Sequence, residues 1–424
     1  MKSINQTLIT SLRLILPLLF LFSFNGCDKI DMKEEYVIEI PIYKTLGEIR
    51  ASNVKLTVAR PMHNIGKIYL YKDYILINEP NKGIHFYNNE NPENPKSVGF
   101  LPISGNYDLG VQNDLLYVDN IVDLLTFDIS DISNPKLIDR QKDVFSVKYT
   151  SETGVRYQLE DKDMVPFAYK DSLISREEKS KYIPKDQPIY LDYNNSSSGE
   201  SNQVGQAGSL ARFAIAENFL FAIYQDKIKN FDLVNARSPK LLNETQLNFG
   251  IETLFPYKKN LFVGANNGMH ILDISNPTEP VEIANYIHVV ACDPVVVNDN
   301  YAFVTLRTGN FCQGNQNQLQ VLDIKDLKNP KLIKAYEMKN PHGLALSGDH
   351  LFICEGNFGL KSFKVSDVNN IDKNRIQYLE DVKSSDVIAG PKSLIVMGID
   401  GICQFDYKNP SNLKKLSCIT KNRN

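Results

Sequence analysis

Tryptophan is absent from all 424 residues, which excludes any repeat architecture whose units dock through indole rings. No long basic run occurs and the formal net charge is −3. A surface built for nucleic acid needs a clustered positive field, so no nucleic-acid partner is expected. Signatures that carry chemistry at fixed spacing are missing as well: there is no HExxH, GxSxG, P-loop or CxxC. The histidines, His63, His85, His270, His288, His342 and His350, are scattered. An enzyme would show a nucleophile with its base, a metal cluster or a phosphate cradle, so the sequence leans away from catalysis and implies no cofactor and no metal.

What is present begins at the N-terminus. MKSINQTLITSLR carries Lys2 and Arg13, and LILPLLFLFSF after it is too short an apolar stretch to span a bilayer. It ends in NGC, and the Gly26-Cys27 junction resembles a bacterial lipoprotein signal, although Phe24 and Asn25 depart from the usual residues there. Residues 1–26 are therefore expected to be a signal peptide and Cys27 the lipidated start of the mature chain. Cleavage would remove Lys2 and Arg13 and take the net charge from −3 to −5. The charged stretch DKIDMKEEY opens a tether and N-terminal extension, residues 27–62, of which 36–60 adds an outer strand, closes the ring or packs beneath it.

The rest of the chain repeats itself. TFDISDISNPKLI at 126–138 returns as ILDISNPTEPVEI at 271–283. A recurring apolar residue precedes a short apolar triplet at Ile68, Leu109, Phe213, Leu254, Val295, Leu344 and Val387, with spacings of 41, 104, 41, 41, 49 and 43 residues. A second landmark keeps the same phase: an Asp or Asn, then Pro or an apolar residue seven positions on. The pairs are Asn88 and Pro95, Asp128 and Pro135, Asp232 and Pro239, Asp273 and Pro280, Asp323 and Pro330, and Asp406 and Leu413. In the sixth unit the positions are degenerate, Lys364 and Ile371. An Asp side chain can bond the backbone amides just beyond it, and Pro starts a strand at an outer edge where its missing donor costs nothing. Each unit reads as four short strands, the dimension of a propeller blade. The expected fold is all-β, a seven-bladed β-propeller over 63–421. Its four-stranded antiparallel blades lie near 63–103, 104–147, 209–249, 250–290, 291–339, 340–383 and 384–421, with an insertion at 148–208. No amphipathic helix interrupts them, and blades 1 and 7 each hold four strands, so ring closure needs no exchanged strand.

The segments GIHFYNNENPENPK, LLTFDISDISNPKL and LQVLDIKDLKNPKL, with GKIYLY, CDPVVVNDNYAFVTLR and NPHGLAL, resemble the LVIVD-repeat proteins. These are predicted β-propellers common among bacterial envelope lipoproteins. The resemblance covers about residues 50–420 and implies the fold and an envelope location, but no general activity. WD40 blades carry a Trp-Asp signature, and quinoprotein-type blades dock through tryptophans, so neither subclass fits.

Strand direction alternates within a blade, so the start of each inner strand, the second-to-third-strand loop and the connection between blades share one face. The insertion maps there, either as a disordered segment or as a partly ordered cap. So do Cys292 and Cys312, which an oxidising envelope would join in a disulfide. Cys354, Cys403 and Cys418 fall within strands among apolar neighbours and read as small core residues, a Cys403–Cys418 bridge between adjacent strands being the lesser alternative. Lys67, Tyr107, Asp108, Arg212, Glu252, Asp293, His342 and Asp386 fall at the mouth of the central channel. Convergent polar groups in a concavity mark a binding site, although compensating charges around a water-filled channel have the same pattern. The expected function is an envelope-anchored, rigid binding module at the outer membrane, periplasmic or surface-exposed, with an envelope protein or a glycan as partner. The alternatives are a glycan- or lactone-directed hydrolase or lyase at the mouth, and a scaffold subunit of an envelope assembly.

Overall fold

A computed structural model of the chain describes residues 35–145, 164–175, 206–208, 211–247, 250–265, 268–287, 294–307 and 316–421. Seven antiparallel sheets, each built from consecutive strands of the chain, form the blades. Blade 1, for example, runs Ile68–Tyr71, Tyr74–Glu79, Gly83–Asn88 and Lys96–Pro102 from the axis outward, and blade 7 runs Asp386–Ala389, Leu394–Gly398, Gly401–Asp406 and Lys414–Thr420. Inner strands of successive blades touch. The ring closes where Ile68, Leu70, Ile75 and Ile77 pack against Ile388, Ile395, Met397 and Ile402. Among the described residues no strand is exchanged between the first and last blades.

The burial pattern follows from this stacking. Second and third strands have a blade on either side, and their aromatic residues, Phe86, Phe127, Phe221, Phe262, Phe303 and Phe352 among them, are fully buried. An outer strand has a neighbour on one edge only, and Lys240–Gln246 alternates between exposed and half-buried. The aspartate turn works as its chemistry predicts. Asp128 Oδ1 accepts the Ser130 amide at 3.1 Å, and Asn88, Asp232, Asp273, Asp323 and Asp406 accept the amide two residues on in the same way. Each blade also carries a register shift between its third and outer strands, at Phe86/Tyr87 in blade 1 and Gln404/Phe405 in blade 7. Such bulges raise the local right-handed twist, which lets blades nest face to face.

The propeller lies in a compact unit made of Glu39–Lys170 and Pro184–Asn424, while a second unit takes in Met1–Ile38 and Asp171–Ile183. Strands Glu35–Thr45 and Met164–Ser175 pair in a two-stranded sheet. A helix of one and a half turns follows, Leu46–Ala51, where the sequence predicted none. It starts on a capping box: Thr45 Oγ1 accepts the Glu48 amide at 3.1 Å, and Glu48 Oε2 accepts the Thr45 amide at 2.8 Å. Arg50 then forks onto Asp123 of blade 2 at 2.9 and 2.7 Å. Thr57 exchanges two backbone hydrogen bonds with Phe100 of blade 1, at 2.8 and 3.1 Å. The described part of the extension therefore braces blades 1 and 2, with Thr57 bridging the outer strand of blade 1.

The insertion returns to the propeller at its axis. Gln206 and Ala207 pair with Leu70 and Tyr69, giving blade 1 a fifth strand on its channel edge. The remainder of 148–208 apart from 164–175 lies outside the described residues, as do Cys27, Asp293 and the expected Cys292–Cys312 bridge. Cys403 and Cys418 are a correction. They form a disulfide across the third and outer strands of blade 7, with Cα atoms 4.1 Å apart, and are not core thiols. Cys354 is a buried free thiol, as its apolar neighbours predict.

Candidate channel-mouth site

The starts of several inner strands are pinned to the next blade by hydrogen bonds, and these pins position the mouth. Asp108 Oδ1 accepts the Leu109 amide at 2.7 Å, and Oδ2 accepts the amides of Arg212 and Phe213 at 2.6 and 3.0 Å, tying blade 2 to blade 3. Leu254 N–H donates to Ala211 C=O at 2.8 Å between blades 3 and 4, and Gly343 N–H to Ser385 C=O at 3.0 Å between blades 6 and 7. Gly343 has no room for a side chain: a Cβ there would stand 2.1 Å from Asp386 Oδ1 and 2.9 Å from its Cα. That contact sets the carboxylate of Asp386 against the backbone of the next blade.

Lys67, a member of the predicted ring, is only 2% exposed. Burial pushes its ammonium down to about 8. The charges of Asp108, Asp386 and Glu252 oppose the shift, and that of Arg212 adds to it. Side chains from four other blades are thus within electrostatic reach of one amine. Burial likewise raises Asp108, against the pull of Lys67 and of its three amide donors. Asp108 and Asp386 are buried, whereas Tyr107, Arg212, Glu252 and His342 are half-buried.

Two further predicted members have described partners outside the Lys67 cluster. Tyr107 contributes its backbone, whose N–H donates to Asp119 Oδ1 at 2.9 Å. His342 lies beside Asn340, Nε2 to Nδ2 at 3.2 Å; burial and the nearby Arg307 push its imidazole down to about 3, so it is neutral at ordinary pH. Asp293, the eighth predicted member, is not among the described residues.

Sequence reasoning missed the support beneath the mouth. Asn78 Nδ2 donates to Asn106 Oδ1 at 2.6 Å, and Asn106 Nδ2 donates to Asp119 Oδ1 at 2.7 Å. The same Asp119 oxygen accepts the amides of Tyr107 and Asp108 at 2.9 and 3.0 Å. Burial, with the Asp108 charge, nevertheless pushes Asp119 up to about 7. A signal existed: in the repeat register Asn78 and Asp119 occupy the second-strand position that is Ile223, Cys354 and Met397 in other blades. Polar residues there break the apolar pattern.

Beside the mouth a cavity of about 200 Å³ opens at the seam of blades 6, 7 and 1, lined by Ile65, Lys383, Ser385, Met397, Ile399 and Lys421 among others. Among the described residues no three His, Cys, Asp or Glu side chains gather as a metal site.

Residues 258–287, the second to outer strands of blade 4, match the LVIVD repeat. No curated protein matches the chain in sequence. Among solved structures the chain is similar to the periplasmic gluconolactonase PpgL of Pseudomonas aeruginosa, at 10% identity and a TM-score of 0.54, over 84% of this chain and 97% of that one. It is also similar to the computationally designed protein Ika8, at 11% identity and a TM-score of 0.50, over 87% of this chain and 93% of that one. At such identities the likeness is one of fold. The chain is a seven-bladed β-propeller that carries an LVIVD repeat in its fourth blade.

Proposed function

We propose that this protein is a binding module tethered to a bacterial envelope through Cys27, and that its ligand sits at the channel mouth over Lys67. One observation carries the second part: an ammonium 2% exposed, gathered with three carboxylates and a guanidinium from four other blades. Burying such a group costs stability, and an apolar residue of similar length serves packing as well or better. Perturbed charges converging in a concavity therefore mark a functional site. Lys67→Met is expected to keep or raise the melting temperature and to abolish ligand-induced stabilisation. The assay is calorimetric melting against a panel of neutral sugars, sugar acids, amino acids and phosphate. A variant that responds to the panel as the parent does removes this reading. For the tether, radiolabelled palmitate incorporated by the parent and absent from Cys27→Ser is the supporting result.

A second reading, cleavage of a glycan or lactone at the same mouth, is favoured by Asp119 and Lys67, which burial brings to about 7 and about 8. Groups that titrate near neutrality suit proton transfer. The gluconolactonase of similar fold makes D-glucono-1,5-lactone the first substrate to try. Proton release that disappears in Glu252→Gln supports turnover at the mouth, and no release above the spontaneous rate ends this reading.

A further inference from the structure

Most arginines whose surroundings are described are spoken for. Arg50 binds Asp123 and Asp143, Arg60 binds Glu79, Arg140 binds Asn120 and Asp123, and Arg237 binds Asp128. Arg212 differs. Its backbone is held by Asp108, but its guanidinium has no hydrogen bond or ion pair with any described residue, and its Nε is buried without a partner. Leaving a buried donor unmade costs free energy, more so on a charged group.

The neighbours do not relieve it. Both oxygens of Asp108 are already taken by the amides of Leu109, Arg212 and Phe213. Lys67, whose charge is repelled by that of Arg212, adds a second cation within reach. Two cations at a channel mouth, one with its planar fork unoccupied, form a subsite for an anion. The fork matches a carboxylate, which it grips through two parallel N–H···O bonds. The rest of the ring limits what the anion is attached to. Glu252 and Asp386 act on the same Lys67 amine. They repel a second negative charge and accept hydrogen bonds from hydroxyl groups.

We propose that the mouth recognises a small polyhydroxylated monocarboxylate, a sugar acid in chemical class, with its carboxylate on Arg212 beside Lys67 and its hydroxyls toward Glu252 and Asp386. This rests on the mouth being the ligand site, as argued above.

The absence of tryptophan removes the usual fluorescence signal, so titration calorimetry is the assay. The probes are D-glucuronate, D-glucose and inorganic phosphate. The proteins are the parent, Arg212→Met, Arg212→Lys and Lys67→Met, each first shown to melt cooperatively. Expected is binding of glucuronate to the parent with little heat from glucose or phosphate. Arg212→Met should lose about tenfold or more in affinity, the value of one charge-assisted pair. Arg212→Lys should recover only part of it, because a point charge does not reproduce the fork. Phosphate binding more tightly than glucuronate, or an Arg212→Met protein that binds glucuronate as the parent does, overturns the proposal. Glucose bound equally by the parent and Arg212→Met, but not by Lys67→Met, overturns the carboxylate while leaving the mouth as a site. No binding of any probe by the parent at millimolar concentration counts against both.

Discussion

The side-chain amides of Asn89 and Gln404 bond each other head to tail across the seam between the first and last blades. Asn89 Nδ2 donates to Gln404 Oε1 at 3.0 Å, and Gln404 Nε2 donates to Asn89 Oδ1 at 2.7 Å. Both residues are buried, and they stand 315 positions apart. Around them Ser417 Oγ donates to Pro92 C=O at 2.5 Å, and Lys392 pairs with Asp73 at 2.5 Å. This polar latch and the isoleucine cluster beside it hold the first and last blades together.

The latch is expected to show in denaturation. Asn89→Ala strips a buried amide of its reciprocal partner and should cost about 1–3 kcal/mol. Removing both amides should cost less than the sum of the two single variants, because neither partner is then left unsatisfied. Urea midpoints of the two singles and the double close the cycle. Strict additivity would show that the amides do not act as a pair.

The Cys403–Cys418 bridge closes a loop with a sequence separation of 15. Loop-closure entropy puts its contribution at about 3 kcal/mol. Reduction, or Cys403→Ala with Cys418→Ala, should lower the melting temperature by several degrees. Alkylation followed by mass spectrometry should find both thiols protected until reductant is added. Cys354, buried and with its thiol pushed well up by that burial, should react only on unfolding.

Arg50 and Asp123 fasten the N-terminal extension. Asp123 is 1% exposed and takes both Arg50 and Arg140, so its carboxyl is held below the usual range despite burial. Arg50→Ala should free the helix Leu46–Ala51 and speed proteolysis near it, with the propeller core still intact on the gel. Asp123→Ala should be worse, since it leaves two guanidinium groups facing a gap. Equal protease resistance in Arg50→Ala and the parent would show that the ion pair is not what holds the helix.

Asp119 makes a prediction in pH. Its folded carboxyl titrates at about 7, above the unfolded value of about 3.9. The folded state therefore binds the proton more tightly. The stability this group contributes is full below pH ~4 and is lost as pH rises through ~7. Asp119→Asn keeps an oxygen for the three N–H donors and carries no charge. Its stability should match or exceed the parent's at pH 8, and the fall between pH ~4 and ~7 should flatten. A variant markedly weaker at pH 8 would mean that the mouth uses this carboxylate as an ion.

The repeat was legible because every blade packs against another blade of the same shape, so the same residues solve the same problem about every 41 positions. The aspartate turns were legible for a simpler reason: donor and acceptor lie two residues apart, as in Asp128 and Ser130. The ring of Lys67, Asp108, Arg212, Glu252 and Asp386 followed from phase alone, since equivalent positions in a ring converge on its axis. The roles within it did not follow. Nothing local distinguishes Asp108, whose oxygens are taken by three amides, from Asp386, which lies against Gly343.

The disulfide shows where local reading stops. Counting back from Asp406 opposite Lys414, a regular hairpin would set Cys403 opposite Ser417. The shift at Gln404/Phe405 moves the register by one and brings Cys418 there instead. A single bulged residue, invisible in hydrophobic pattern, turned two predicted core thiols into a bond. The return of Gln206 and Ala207 to the channel edge of blade 1 is of the same kind, because strand pairing across more than a hundred residues leaves no periodic trace. By itself, then, the sequence determined the number of blades and their strands and turns, because period-two burial and short-range hydrogen bonds are written locally. Tertiary structure alone decided which charges meet a partner, where the insertion returns, how the ring is latched and that the Arg212 guanidinium meets no partner among the described residues, because each depends on register and on contacts between blades far apart in the chain.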